Sequence, residues 1–108
     1  MLTARTLATR VLLAVVQQHA SLNDVLVREL PLTNPRDYSL VKELCYGTLR
    51  WYPRLLALSE QLLVKPLKTH DHDILLVILL GLYQICYTRI PPHAAGSESV
   101  NTVRHLKK

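Results

Sequence analysis

Apolar side chains fill every face of the stretch from Ile74 to Tyr87, ILLVILLGLYQICY, where Gln84 is the only residue that clearly prefers water. A helix that is apolar all round must be enclosed by protein or by lipid. A membrane span needs about 18 or more apolar residues, and this run stops at Thr88 and Arg89, so protein is the expected surrounding. A buried strand would be shorter, about 4 to 8 residues. Thr69 is placed to cap the helix, Asp71 and Asp73 put negative charge in its first turn, and Pro91 and Pro92 forbid continuation. This stretch is expected to be the buried axis of the fold.

The remaining segments read as amphipathic helices around it. From Met1 to Val16, Ala4, Leu7, Ala8, Val11, Leu12 and Val15 recur at the three-and-four spacing of one helical face. Arg5 and Arg10 lie off that face, about 140° apart, and so form no single stripe. A short second helix with Leu22, Val25, Leu26 and Leu30 follows a cap at Ser21, Asn23 or Asp24 and ends at Pro31. Asn34 suits a cap and Pro35 a first helical position for a third helix, which turns Leu40, Val41, Leu44, Cys45, Thr48 and Leu49 inward. Gly47 in its interior costs up to about 1 kcal/mol against alanine and marks a close approach, expected against the central helix near Gly81. Pro53 should break the pattern at Trp51 and Tyr52, after which Leu55, Leu56, Leu58, Leu62 and Leu63 resume as a fourth helix. Past the two prolines, Ala94 to Leu106 is a weak helix, diluted by Gly96, Ser97 and Ser99.

Composition narrows the fold class. A chain of 108 residues with 49% hydrophobic content can build one core, and 3 glycines with no phenylalanine and no long alternation disfavour sheets. The expectation is one all-α domain over residues 1–108, a bundle of about six helices around a buried central one. No charged-then-apolar leader opens the chain, and Cys45 and Cys86 sit inside apolar patterns as core thiols, which together fit a cytoplasmic protein. The formal net charge of +5 favours polyanionic partners, with nucleic acid ahead of anionic lipid.

Candidate chemistry concentrates near the third helix. Arg50 and Arg54 flank Trp51 and Tyr52, combining guanidinium charge with planar rings that can hold phosphates and stack bases, although the same aromatics could instead seal the edge of the core. Lys65 and Lys68 make the next connector basic. The run His70-Asp71-His72-Asp73 resembles a metal-ligand set, but alternate helical residues point about 200° apart and cannot share one ion, so a helix start is the better reading. No Gly-rich strand-to-helix turn for a nucleotide or methyl donor occurs, and no Ser-His-Asp or Cys-His set stands out; the chain is not expected to catalyse a reaction alone.

Two stretches exceed generic helix logic: KELCYGTLR, Lys42 to Arg50, and GLYQICYTRIPPHAA, Gly81 to Ala95. With SLNDVL at Ser21 to Leu26 and the Lys65-Pro66-Leu67 connector, they resemble the NusB-like N-terminal domain of bacterial small-subunit ribosomal RNA cytosine-5 methyltransferases, the RsmB (Sun, Fmu) family. The resemblance implies a NusB-like helical bundle that binds ribosomal RNA and assists a catalytic domain. S-adenosylmethionine and a nucleophilic cysteine following proline would belong to that catalytic domain, since Cys45 follows Leu44 and Cys86 follows Ile85. It also implies Gly47, Arg50, Gly81, Tyr83, Gln84, Arg89, Pro91 and Pro92 as motif positions, with Arg50 and Arg89 able to pair with Glu43 instead of RNA. The helix that closes this fold and the catalytic domain are expected to lie outside the chain, and Gly96 replaces a larger apolar residue, so self-association of an open apolar groove is expected.

The function expected from the sequence is therefore an RNA-binding accessory domain with phosphate contacts from Arg5, Arg10, Arg50, Arg54, Lys65, Lys68 and Arg89. The alternatives are a protein-interaction module that holds a catalytic domain or ribosomal protein, and an antitermination factor that binds RNA together with a ribosomal protein.

Overall fold

The computed structural model describes residues 1–63 and 67–88, together with Ser99 and Thr102. Five α-helices form among these residues: α1 Ala4–Gln18, α2 Leu22–Glu29, α3 Tyr38–Arg50, α4 Tyr52–Leu62 and α5 His72–Tyr87. Short 3-10 turns cover Leu30–Leu32, Pro35–Asp37 and Thr69–Asp71. Among the described residues the extended pairing is a single bridge, Leu2 to Thr33, where the Thr33 hydroxyl donates to the Leu2 carbonyl at 2.6 Å. The all-α expectation holds. Most of the sixth segment lies outside the described residues, within which Ser99 and Thr102 are helical.

Local chemistry sets most boundaries where the sequence places them. Thr3 caps α1 by accepting from the Thr6 amide at 3.2 Å, and His19 ends that helix in the left-handed region at φ 56°. Asn34 accepts from the Arg36 amide at 3.0 Å, but Pro35 opens a 3-10 turn and α3 begins only at Tyr38. Pro53 sits in the first turn of α4, where its missing N–H costs nothing, so the break falls at Trp51, one residue before α4 starts. Two caps differ from expectation, and in the first of them Ser21 holds the cap position of α2 without a side-chain capping bond. Because α5 starts at His72, the cap position is Asp71 and not Thr69, and Asp71 makes no side-chain capping bond there.

The core is built by α1, α3 and α5, with α2 and α4 packed on the outside of this trio. Leu7, Ala8, Val11, Leu12, Val41, Leu44, Cys45, Leu55 and Leu79 are wholly buried. Truncating any of the leucines would cost about 2–5 kcal/mol, the usual range for a large side chain removed from a close-packed interior. α4 contributes less than its leucines suggest. Only Leu55 and Ser59 of α4 are buried, and Leu62 stands 67% exposed.

The central helix departs from expectation in two ways. Gln84, the polar exception, is 1% exposed, while Ile85 is 46% exposed and Cys86 lies on the surface. A buried amide is tolerated only when its groups are hydrogen-bonded. Here Gln84 Nε2 donates to the Leu80 carbonyl at 3.1 Å and Oε1 accepts from Arg5 Nε at 2.9 Å. The helix therefore has an inside and an outside: Ile74, Leu75, Ile78 and Leu82 are half-buried and run into the open Ile85. Of the two thiols, Cys45 alone is in the core, where burial pushes its pKa up to about 12.

Candidate nucleic-acid interface

The residues that could meet a polyanion sort by what the fold does with them. Arg5 is half-buried and bonded across to Gln84, so its guanidinium serves the α1–α5 contact. Arg10 Nη2 lies 3.0 Å from Glu29 Oε1, an ion pair between α1 and α2 with Arg10 47% exposed. An exposed pair of this kind contributes about 0–1 kcal/mol, and it neutralises the charge that a phosphate would need. Arg50, Arg54 and Lys68 are exposed. Lys65 and Arg89 lie outside the described residues.

Arg50 is the cation with a built setting. Helix α3 carries Glu43, Tyr46, Gly47 and Arg50 at i, i+3, i+4 and i+7, which places all four on one face. At Gly47 no side chain intervenes, and the ring of Tyr83 from α5 lies directly against the backbone; a Cβ there would overlap the ring. The close approach anticipated at Gly47 is thus made by Tyr83, and Gly81 meets a different neighbour, Ser99, whose hydroxyl oxygen would sit 2.9 Å from an added Cβ.

The α3–α4 break then swings Trp51 over the end of α5. Its ring stacks on Tyr87 with centroids 4.7 Å apart and planes 4° from parallel, and Tyr87 continues to Tyr83 at 6.0 Å and 25°. The Arg50 guanidinium stands over the Trp51 ring at 6.0 Å, the outer limit of a cation–π contact. Trp51 nevertheless keeps 38% of its surface open. The two aromatics therefore divide the roles the sequence allowed: Tyr52 is half-buried against the core, and Trp51 faces outward.

Glu43, Tyr46, Gly47, Arg50, Trp51 and Tyr83 line a recess of about 260 Å³. The Tyr46 hydroxyl is tied to Asn23 of α2, which fixes one wall. The Tyr83 hydroxyl is held above its ordinary pKa, mainly by burial and secondarily by the Glu43 carboxylate, with Arg50 acting in the opposite sense. The phenol thus feels both charges, yet no ion pair joins Glu43 to Arg50 among the described residues. The acid and the base are both available to a ligand. Tyr83 and Glu43 were not among the residues expected to bind RNA, and the spacing of Glu43 from Gly47 and Arg50 was the available signal.

No cluster of three or more metal-binding side chains occurs among the described residues. In the His-Asp run, His70 Nε2 faces Asp71 Oδ2 at 3.5 Å, while Asp73 is buried and its Oδ1 accepts from the Ile74 amide. No helix among the described residues is long and apolar enough to cross a membrane.

The NusB family profile matches residues 2–108, almost the whole chain. The chain belongs to the NusB family. Within that family it is similar to the ribosomal RNA small subunit methyltransferase B of Pseudomonas putida, with 48% identity over 104 residues, 96% of this chain and 24% of the relative. The protein of that name in Vibrio cholerae is 42% identical over 103 residues, 95% of this chain and 24% of the relative. A probable ribosomal RNA small subunit methyltransferase B of Coxiella burnetii is 45% identical over 94 residues, 87% of this chain and 21% of the relative. The chain thus spans about a quarter of the length of these curated relatives. This NusB family chain carries its exposed aromatic corner in the motif KELCYGTLRW, and the ring partners Tyr83 and Tyr87 in GLYQICY.

Proposed function

We propose that this chain is the RNA-binding accessory domain of a small-subunit ribosomal RNA cytosine-5 methyltransferase and helps the enzyme engage its RNA in the cytoplasm. The observation that carries the reading is the Arg50–Trp51 corner, a partly exposed indole beside a guanidinium that makes no ion pair among the described residues, in a chain so similar to proteins named as ribosomal RNA methyltransferases. Stacking supplies sequence-tolerant affinity and the cation supplies phosphate attraction, the two components of single-strand binding. The phosphate contacts come from Arg50, Arg54 and Lys68, joined by Lys65 and Arg89. Arg5 and Arg10 are largely spent on Gln84 and Glu29. Methyl transfer, with S-adenosylmethionine as donor, belongs to a catalytic domain outside this chain.

Salt dependence tests the reading. With roughly three single-strand phosphates neutralised, log affinity for small-subunit ribosomal RNA fragments falls against log salt with a slope near −2, from about 0.7 per contact. A flat dependence would sink it. The apolar strip of α5 that ends at Ile85 favours a second reading, a module that grips a protein such as the catalytic domain or another copy of itself. Flat salt dependence combined with tight binding to a separately expressed catalytic domain would establish that reading, and preference for a transcription leader over ribosomal RNA would indicate antitermination.

A further inference from the structure

The recess between α3 and α5 is more than a basic surface, because a carboxylate stands at one end and a guanidinium at the other, between exposed aromatic walls. Glu43 and Arg50 are seven residues apart on α3, about 10.5 Å along the axis. The floor is the Gly47 backbone, packed directly on the buried Tyr83 ring behind it, and the side walls are the exposed Tyr46 and Trp51. At about 260 Å³ the recess falls below the roughly 300 Å³ at which drug-sized sites begin, so it suits one planar ring and not a stacked pair.

A pure phosphate site would not place an exposed carboxylate here, since it repels the backbone that Arg50 attracts. A carboxylate is an acceptor with two oxygens, and it selects a ligand edge that presents donors. Among the bases, guanine alone offers adjacent donors on its Watson–Crick edge, N1–H and the N2 amine, which match both oxygens. Its other edge offers the O6 and N7 acceptors that arginine takes in bidentate fashion. Uracil presents a single N–H between two carbonyls and fits the carboxylate poorly.

We propose that this recess is a guanine subsite, in which an unstacked guanine of single-stranded RNA lies between Tyr46 and the open part of Trp51, with its N1–H and N2 amine on Glu43 and its O6/N7 edge on Arg50, whose remaining N–H groups are left for the adjacent phosphate. The inference rests on the RNA-binding reading and deepens it by naming the base. Single-strand recognition by aromatic stacking combined with hydrogen bonds to base edges is the usual route to sequence preference in RNA.

Trp51 is the sole tryptophan in the chain, so its fluorescence reports this site directly. The test titrates the 108-residue chain with the RNA heptamers UUUGUUU, UUUUUUU and UUUIUUU, in which inosine lacks the N2 amine, across about 50 to 200 mM salt. The expected result is Trp51 quenching with UUUGUUU binding about ten-fold tighter than UUUUUUU, and with inosine intermediate. In Glu43→Gln, where an N–H₂ replaces one acceptor oxygen at the same size, the guanine preference falls to about two-fold or less while UUUUUUU binds at least as well. Salt-dependent binding without guanine preference, or a preference that survives Glu43→Gln, overturns the guanine subsite and leaves RNA binding intact. Absence of salt-dependent binding to all three heptamers overturns both.

Discussion

Arg5 and Arg50 bring the same guanidinium to the same half of α5, and the fold treats them in opposite ways. Arg5 meets the face that carries Gln84, whose buried Oε1 accepts from it, and the charge becomes part of the interhelical contact. Arg50 meets a face about 100° away, where Tyr83 and Tyr87 offer rings and no strong acceptor, and its charge stays directed outward over Trp51. A cation is consumed when its neighbour supplies a buried oxygen and is displayed when the neighbour supplies a ring. The net charge of +5 is therefore a poor count of what a polyanion would feel.

The largest effect expected from breaking this comparison is at its buried end. Arg5→Ala leaves the Gln84 carbonyl oxygen, 1% exposed with its residue, short of its donor, at a cost of about 1–3 kcal/mol plus the lost packing of the arginine stem. Urea denaturation should show that loss, and the salt slope of RNA binding should not move. A slope that drops with Arg5→Ala would mean that the arginine reaches RNA after all. Next in size is Gly47→Ala. Helix propensity alone would add up to about 1 kcal/mol of stability, but the new methyl overlaps the Tyr83 ring, and overpacking costs about 1–3 kcal/mol. The ring cannot swing away freely because it is stacked on Tyr87, so a net loss of about 1–2 kcal/mol is expected, with altered Trp51 emission as the stack shifts. A more stable Gly47→Ala protein would disprove the close approach.

The helices were legible because their signals are local: three-and-four spacing for α1 and α3, Pro53 for the α3–α4 break, and an apolar run for α5. What the sequence hid was pairwise. Gln84 reads as the wet residue of α5 until Arg5, at the other end of the chain, is seen to complete its hydrogen bonds. Ile85 and Cys86 read as core, yet they fall on the side of α5 that the described helices leave open. The same holds for Leu62, which continues the apolar pattern of α4 yet stands exposed among the described residues. At the candidate site, Arg50 and Trp51 could be picked out by type. The contribution of Glu43 and Tyr83 depended on how closely two helices approach at Gly47.

A smaller effect, of opposite sign, is expected beside the same contact. Thr48 is wholly buried on α3, and its hydroxyl has no hydrogen-bond partner among the described residues. Valine has nearly the same shape and no polar group to desolvate, so Thr48→Val should raise stability by about 1 kcal/mol. Thermal unfolding of the variant would show it, and an unchanged or lower midpoint would mean that the hydroxyl is satisfied in solution.

The smallest change in stability, and the sharpest test of the displayed end, comes from Arg50→Gln. The side chain is exposed, makes no ion pair with Glu43, and touches Trp51 only at the limit of a cation–π contact, so stability should move by no more than about 0.5 kcal/mol. The consequence should appear in binding instead. Removing one phosphate contact shallows the dependence of log affinity on log salt by about 0.7, while Trp51 still stacks and residual binding persists. Arg5 and Arg50 would then show inverse profiles, one carrying stability without slope and the other slope without stability. That result requires the buried acceptor at Gln84 and the stacked rings at Tyr83 and Tyr87 to be what divides structural from functional charge. Equal slopes for wild type and Arg50→Gln would remove the guanidinium from the interface and shift the case toward the apolar strip at Ile85.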